Sequence, residues 1–193
     1  MDLRRIMAAV LMALLLPLTA SADGGWSARL NLTDPQQALF DLLHNAVEAM
    51  EPEVSLPADT AYGDVQAAMD ALYTDCPELI SLSSAHSIHY YRNEPEVAVS
   101  VTLQYTRSPA EDAAARQQLE SAVTALASQA EGAADWDRAL ALHDALCAAV
   151  TYDLTAPHAY DAYGALVEGR AACEGYAEAY TLLCRASGIP CTT

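Results

Sequence analysis

Five cysteines stand in this chain, at Cys76, Cys147, Cys173, Cys184 and Cys191, and one of them occupies a position where a thiol can do chemistry. Cys173 follows the turn Gly169-Arg170-Ala171-Ala172 and opens a stretch whose apolar spacing predicts a helix to about Ser187. A thiol becomes an effective nucleophile when it ionises, and the first turn of a helix favours the anion. Unpaired amides and the positive end of the helix dipole both point at it there. Thiols so placed can have pKa values lowered to roughly 3.5–7.5. The same amides can hold the oxyanion formed when a thiolate attacks a carbonyl. Gly175 removes bulk just past Glu174, where a substrate backbone could approach. The chemistry implied is covalent acyl transfer with Cys173 as nucleophile. The position alone is a weak signal, because a cysteine at a helix start is more commonly a small buried hydrophobe.

The other candidates are weaker. His143 falls on the apolar face of its helix, which reads as core packing. His158 lies in a loop 15 residues before Cys173 and reads as an exposed loop histidine. His44, His86 and His89 belong to the N-terminal region. Tyr152 and Tyr176 read as packing residues that could also line a cleft. No C-x-x-C pair occurs and the histidines are not at zinc-ligand spacing. The acidic residues lack EF-hand spacing, so no metal ligand is assigned. An odd number of cysteines leaves at least one unpaired. Cys184 and Cys191 are the pair nearest in sequence, but sequence does not settle connectivity.

The elements that must position Cys173 begin well upstream. Thr33 with Gln36 is a capping box, and Leu39, Leu42, Leu43, Ala46, Val47 and Met50 recur at helical spacing until Pro52 and Pro57. A second helix is predicted over 62–73, with Val65, Ala68, Met69 and Leu72 inward, stopped by Asp75-Cys76-Pro77. The period then changes to two: Val97, Val99, Val101, Leu103 and Tyr105 alternate with smaller or polar residues. This is a half-buried strand, with 87–91 as its hairpin partner. Ser108 and Glu111 form a second capping box, with Pro109 at the first helical position. Leu119, Val123, Leu126 and Ala130 mark the buried stripe of that helix. Gly132 breaks it and Asp135 caps the next, on which Trp136, Leu140, His143, Cys147 and Val150 share a face. A short helix is predicted over 159–168. After the Cys173 helix, Gly188 suits the left-handed position, with Ile189 folding back and Pro190 preventing continuation.

Composition sets the outer bounds. The net charge is −17, and all nine basic residues are arginine. Such a surface excludes a nucleic-acid or anionic-membrane partner in general terms, because little basic charge exists to meet phosphates. At the N-terminus, Arg4 and Arg5 precede an apolar run from Ile6 to Leu18, and Ala20-Ser21-Ala22 supplies the small residues that a signal peptidase inspects. That is the layout of a secretory signal peptide over 1–22, too short to span a bilayer comfortably. Signal peptidase is thus an expected partner, and the expected location is secreted, cell-surface or periplasmic.

The order of motifs in the last third is more specific than any one of them. His143-Asp144-Ala145-Leu146, Thr151-Tyr152-Asp153, Ala162-Tyr163-Gly164-Ala165-Leu166 and Gly169-Arg170-Ala171-Ala172-Cys173-Glu174-Gly175-Tyr176-Ala177, continued by Leu182, Leu183 and Gly188-Ile189-Pro190, resemble the transglutaminase-like superfamily. The likeness covers about 135–191. Asp75-Cys76-Pro77-Glu78-Leu79 also resembles a segment upstream of this domain in secreted bacterial members. The resemblance implies a papain-like fold in which the cysteine helix packs on an antiparallel sheet. It also implies a Cys–His–Asp catalytic order in which Cys173 matches the nucleophile. The histidine and aspartate would follow the Gly-Ile-Pro turn and have no counterpart before Thr193, so the chain is expected to be truncated and inactive as it stands.

The fold class expected is therefore α+β. N-terminal helices with a β-hairpin (23–107) precede the helical front half of a papain-like transglutaminase domain (108–193), whose sheet is largely missing. By resemblance the parent is a secreted cysteine enzyme acting on protein or peptide amides through a thioester, peptide hydrolysis being favoured over glutamine crosslinking, with no cofactor. The alternative is a non-catalytic transglutaminase-like module for cell-surface binding or assembly. The leader carries a prediction of its own. Material exported by a bacterial host should begin at Asp23, and N-terminal sequencing that finds Met1 retained would reject the cleavage site.

Overall fold

The computed structural model describes residues 27–130 and 134–191. The signal-peptide stretch, the linker glycines Gly24 and Gly25, and the helix break at Gly132 lie outside them. Within the described residues the fold is mixed α+β. The elements run α1 (Ser27–Leu30), α2 (Asp34–Glu48), β1 (Glu53–Ala61), α3 (Tyr62–Asp75), β2 (Leu82–Tyr91), β3 (Glu94–Tyr105), α4 (Pro109–Ala127), α5 (Asp135–Ala149), β4 (Thr151–Tyr152), α6 (Ala162–Leu166), β5 (Arg170–Ala171) and α7 (Cys173–Ala186). No described helix is long and apolar enough to cross a membrane.

Both capping boxes form. The Gln36 side chain accepts from the Thr33 N–H at 3.0 Å, and Glu111 from the Ser108 N–H at 2.8 Å. Each satisfies an amide that the helix itself leaves unpaired. The inward residues Leu39, Leu43, Ala46 and Val47 of α2 meet Val65, Ala68, Met69 and Leu72 of α3 in a first core cluster. An antiparallel sheet of order β1-β3-β2 contributes Val54, Ala98, Val101 and Leu103 to it.

The sheet adds one strand and alters another. The 53–61 segment, to which the sequence pattern assigned no element, is a strand. It is an edge strand whose register slips between Ser55 and Thr60, with Asp59 at a φ of 61°. Proline is tolerated on such an edge because no ladder hydrogen bond is lost there. The strict alternation of β3 also fails. His89 pairs with Ser100 but Tyr90 with Ala98, so Val99 is a bulge. The bulge moves Ala98 onto the core face and leaves Val97 and Val99 half-buried.

A second cluster holds α4, α5, α6 and α7 together through Leu119, Val123, Leu142, Leu146, Ala165, Ala179, Leu182 and Leu183. Here the face assigned to α5 is corrected. Its core side is Leu142 and Leu146, while Trp136 is 75 % and Leu140 48 % exposed. His143 and Cys147 are exposed with them, and of that predicted face only Val150, just past the helix, is buried. Asp135 is the first residue of α5 rather than its cap, which is Ala134. The short helix starts at Ala162, later than expected, because the Asp161 carboxylate caps it by accepting the Gly164 N–H at 2.8 Å.

The clusters meet at residues 75–80. Ile80 inserts into the second while Cys76 and Leu79 remain in the first. Arg185 of α7 donates to the Asp75 carbonyl at 2.6 Å, and Arg107 to the Ile80 carbonyl at 2.7 Å.

Close backbone packing surrounds the start of α7. A Cβ added to Gly175 would lie 2.8 Å from the carbonyl oxygens of both Ala159 and Asp161, whereas one added to Gly63 in α3 would meet nothing within 4 Å. Gly175→Ala should therefore destabilise the protein by roughly 1–3 kcal/mol, and Gly63→Ala should leave it unchanged or slightly more stable. Urea denaturation of the two variants checks this, and equal midpoints would refute the close approach.

Candidate active site

Cys173 reaches its place through two short strands. β4 and β5 pair in parallel, Thr151 with Arg170 and Tyr152 with Ala171. The Thr151 N–H donates to the Gly169 carbonyl at 2.8 Å and the Asp153 N–H to the Ala171 carbonyl at 2.9 Å. Gly169 supplies the turn before β5 at a φ of 69°, a region that glycine occupies without Cβ strain. Asp153 locks the arrangement from its side chain. It accepts the Thr155 N–H and hydroxyl, both at 2.7 Å, and pairs with Arg170. The Thr155 hydroxyl, then the Thr155 amide and Arg170, hold its carboxyl below the usual range.

The Ala172 N–H then donates to the Ala159 carbonyl at 2.6 Å, and α7 begins at the next residue. Cys173 is the first residue of α7 and is exposed. Its thiol sits where the free amides of a first helical turn gather. Among the described residues no side chain is hydrogen-bonded to it. The other thiols differ. Cys76 and Cys184 are buried, and burial pushes both up, Cys184 to about 11. Cys147 is exposed, in the last turns of α5, with its sulfur 3.7 Å from His143 Nε2.

Gly175 has a different role from the one its position suggested. It is buried, and the space its missing side chain leaves is filled by the chain's own Ala159 and Asp161 carbonyls. No room for a substrate backbone remains there.

Neither nearby histidine is bonded to the thiol. His158 Nδ1 is 2.8 Å from Glu168 Oε1, and its ring stands edge-on to Tyr163. His143, expected in the core, is exposed: its Nδ1 faces Asp144 at 3.0 Å and its ring meets Tyr180. Tyr152 and Tyr176 stack on each other, and the Tyr176 hydroxyl donates to the Val150 carbonyl at 2.6 Å.

Glu178, five residues along α7 from Cys173, drew no notice from sequence. Its carboxylate accepts the Ala162 N–H at 3.0 Å, tying α7 to the start of α6. It lines a cleft of about 530 Å³ between the two clusters, with Asp161, His158 and Glu174 on its side and Tyr73, Pro77 and Leu82 opposite. The only advance signal was Asp161 three residues before Gly164, a cap spacing that leaves the first α6 amide to be satisfied from elsewhere. A separate trio, His44, Cys76 and Glu78, brings donor atoms within 4.8 Å of one another. Arg185 lies 3.8 Å from Glu78 and already supplies positive charge there.

Residues 117–193 match the family model of the transglutaminase-like superfamily. Over these residues the chain is similar to that superfamily. The match begins inside α4, ahead of Asp135, and contains the β4–β5 pair, the α6 cap and the whole of α7. No curated protein matches the chain.

The buried carboxyl gives this transglutaminase-like domain a testable pH response. Burial raises Glu178 from 4.5 to about 8, with Asp161 and Glu174 adding repulsion against the Ala162 hydrogen bond. Burial raises Asp161 as well. A carboxyl whose folded pKa exceeds its unfolded value binds more protons when folded, so its contribution to stability falls as pH rises. Stability should therefore decline between about pH 4.5 and 8. Glu178→Gln should flatten that decline and match the wild type most closely at the acid end. Urea titrations at both ends of the window check it; a difference between variant and wild type that does not change with pH would rule out Glu178 as the cause.

Proposed function

We propose that the chain carries the nucleophile of an exported cysteine enzyme acting on protein or peptide amides through a thioester intermediate. The observation that supports this best is Cys173 itself, exposed at the first position of α7 while Cys76 and Cys184 are buried. The similarity of residues 117–193 to a superfamily of cysteine-enzyme type supports the same reading. Export rests on the leader-like residues 1–22.

The thiolate attacks an amide carbonyl, a C–S bond forms, and the amine leaves with a proton. Water or a second amine then opens the thioester. First-turn amides of α7 are the groups in place for the oxyanion. Hydrolysis is the outcome favoured over transfer to an amine, on the strength of the resemblance.

Proton transfer is the part that the described residues do not provide. General acid–base help is typically worth roughly 10²–10⁴ in rate. His158 is engaged with Glu168, and His143 with Asp144. Acylation by an activated ester needs little such help and isolates the nucleophile. With p-nitrophenyl acetate, residues 1–193 should acquire a hydroxylamine-labile acetyl group on Cys173 about tenfold faster than on Cys147. Cys173→Ala should lose it, and turnover of an unactivated peptide amide should be undetectable. Equal acylation of the exposed thiols would remove Cys173 from its role. Strong Cys173-dependent amide turnover would instead make His158 the base.

A further inference from the structure

Two thiols at the far end of α7 have no part in the chemistry of Cys173, yet the fold brings them together. Gly188, at a φ of 68°, reverses the chain after α7, and the Ile189 N–H donates to the Cys184 carbonyl at 2.9 Å. The reversal lays Cys191 back on the helix, where its sulfur is 3.9 Å from the Thr181 hydroxyl. Thr181 and Cys184 are three residues apart on α7 and so share a surface. The Cys184 and Cys191 thiols are in hydrogen-bonding contact there, beside Tyr180. Both pack in the second core cluster with Ile189.

We infer that Cys184 and Cys191 form a disulfide that staples the C-terminal end of the nucleophile helix to the turn that follows it. Export as proposed above would place the pair where such bonds persist, but the geometry does not depend on that reading. Loss of this pair from the thiol pool leaves Cys76, Cys147 and Cys173. Cys76 is buried. Cys173 is eleven residues up the helix from Cys184, about 16 Å at 1.5 Å per residue, beyond disulfide reach.

The order of events follows from exposure. Cys191 is half-buried and Cys184 buried, with its thiol pushed up to about 11 by burial and by Cys191. Cys191 is therefore the attacking thiol. Its thiolate, having lost its proton to solvent, attacks a disulfide oxidant and expels one thiolate, leaving a mixed disulfide on Cys191. Cys184, losing its own proton, attacks the Cys191 sulfur and expels the second. The protein gives up two electrons and two protons, and the oxidant disulfide leaves as two thiols.

The test is to incubate the full chain with oxidised glutathione, then count thiols after unfolding and map the peptides. A tryptic peptide bounded by Arg170 and Arg185 holds both Cys173 and Cys184, so a second cut at Glu174 and Glu178 is needed to separate them. The expected result is three thiols of the original five and a single link between Cys184 and Cys191. Reductant should lower the melting temperature of the wild type by roughly 5–10 °C and leave Cys191→Ser unmoved. Cys184→Ala should keep glutathione on Cys191, whereas folded Cys191→Ser should take none on Cys184. Five thiols after oxidation, or a bridge through Cys147 or Cys173, would overturn the inference. Neither result bears on whether Cys173 is acylated, so the two readings fail separately.

Discussion

The structure turns on how closely one loop backbone approaches two helices. Residues 156–161 lie so near α6 and α7 that no side chain fits between them. A Cβ on Gly164 would fall 1.8 Å from the His158 carbonyl oxygen, inside any contact distance. Ala159, Ala162, Ala171 and Ala172 are almost wholly buried around the same point. Small residues let backbone meet backbone, and the reward is the 2.6 Å bond from the Ala172 N–H to the Ala159 carbonyl. That bond fixes the residue immediately before Cys173. The exposed thiol is thus held by main chain on one side and by the β4–β5 pair on the other, rather than by its own contacts.

Arginine serves the joints between elements. Arg185 and Arg107 reach carbonyls in 75–80, and Arg107 also covers the Tyr163 ring at 4.9 Å. Arg116 joins α4 to α2 through Glu48, and Arg170 joins β5 to Asp153. A planar guanidinium can bridge two partners at once and stays charged at any physiological pH, which suits a chain with a net charge of −17. Arg107, Arg116 and Arg185 are partly buried in the structure's seams, while Arg92 and Arg170 are exposed. The same seams join the two hydrophobic clusters, since Ile80 crosses from one to the other beneath Arg107.

Around Cys173 the protein separates exposed from buried sulfur by depth. Cys76 and Cys184 sit among apolar side chains, where a thiolate is costly, while Cys173 stands at a helix start in water. Glu178 shows the same physics in a carboxyl: burial favours the proton, and an amide from α6 only partly offsets it. α5 presents the opposite case. Trp136, Leu140, His143 and Cys147 form a coherent face by spacing and yet lie in solvent, because α7 packs against Leu142 and Leu146 instead.

Local signals in the sequence determined most of the helices and several of their ends. The capping boxes at Thr33 and Ser108, the stop at Asp75-Cys76-Pro77 and the turn at Gly188 are set by hydrogen bonds and steric limits within a few residues, so they are legible without the rest of the chain. The placement of Cys173 at the start of α7 was legible for the same reason. What only the tertiary structure decided depends on partners distant in sequence. Pro57 is permitted in β1 because that strand is an edge, and Val99 bulges because two strands impose their registers on it. Glu178 finds its amide in another helix, and Gly175 gives up its side-chain space to a loop fourteen to sixteen residues upstream. Periodicity shows that α5 has an apolar stripe, but which of two stripes is buried depends on the surface that meets it, and no spacing within α5 contains that information.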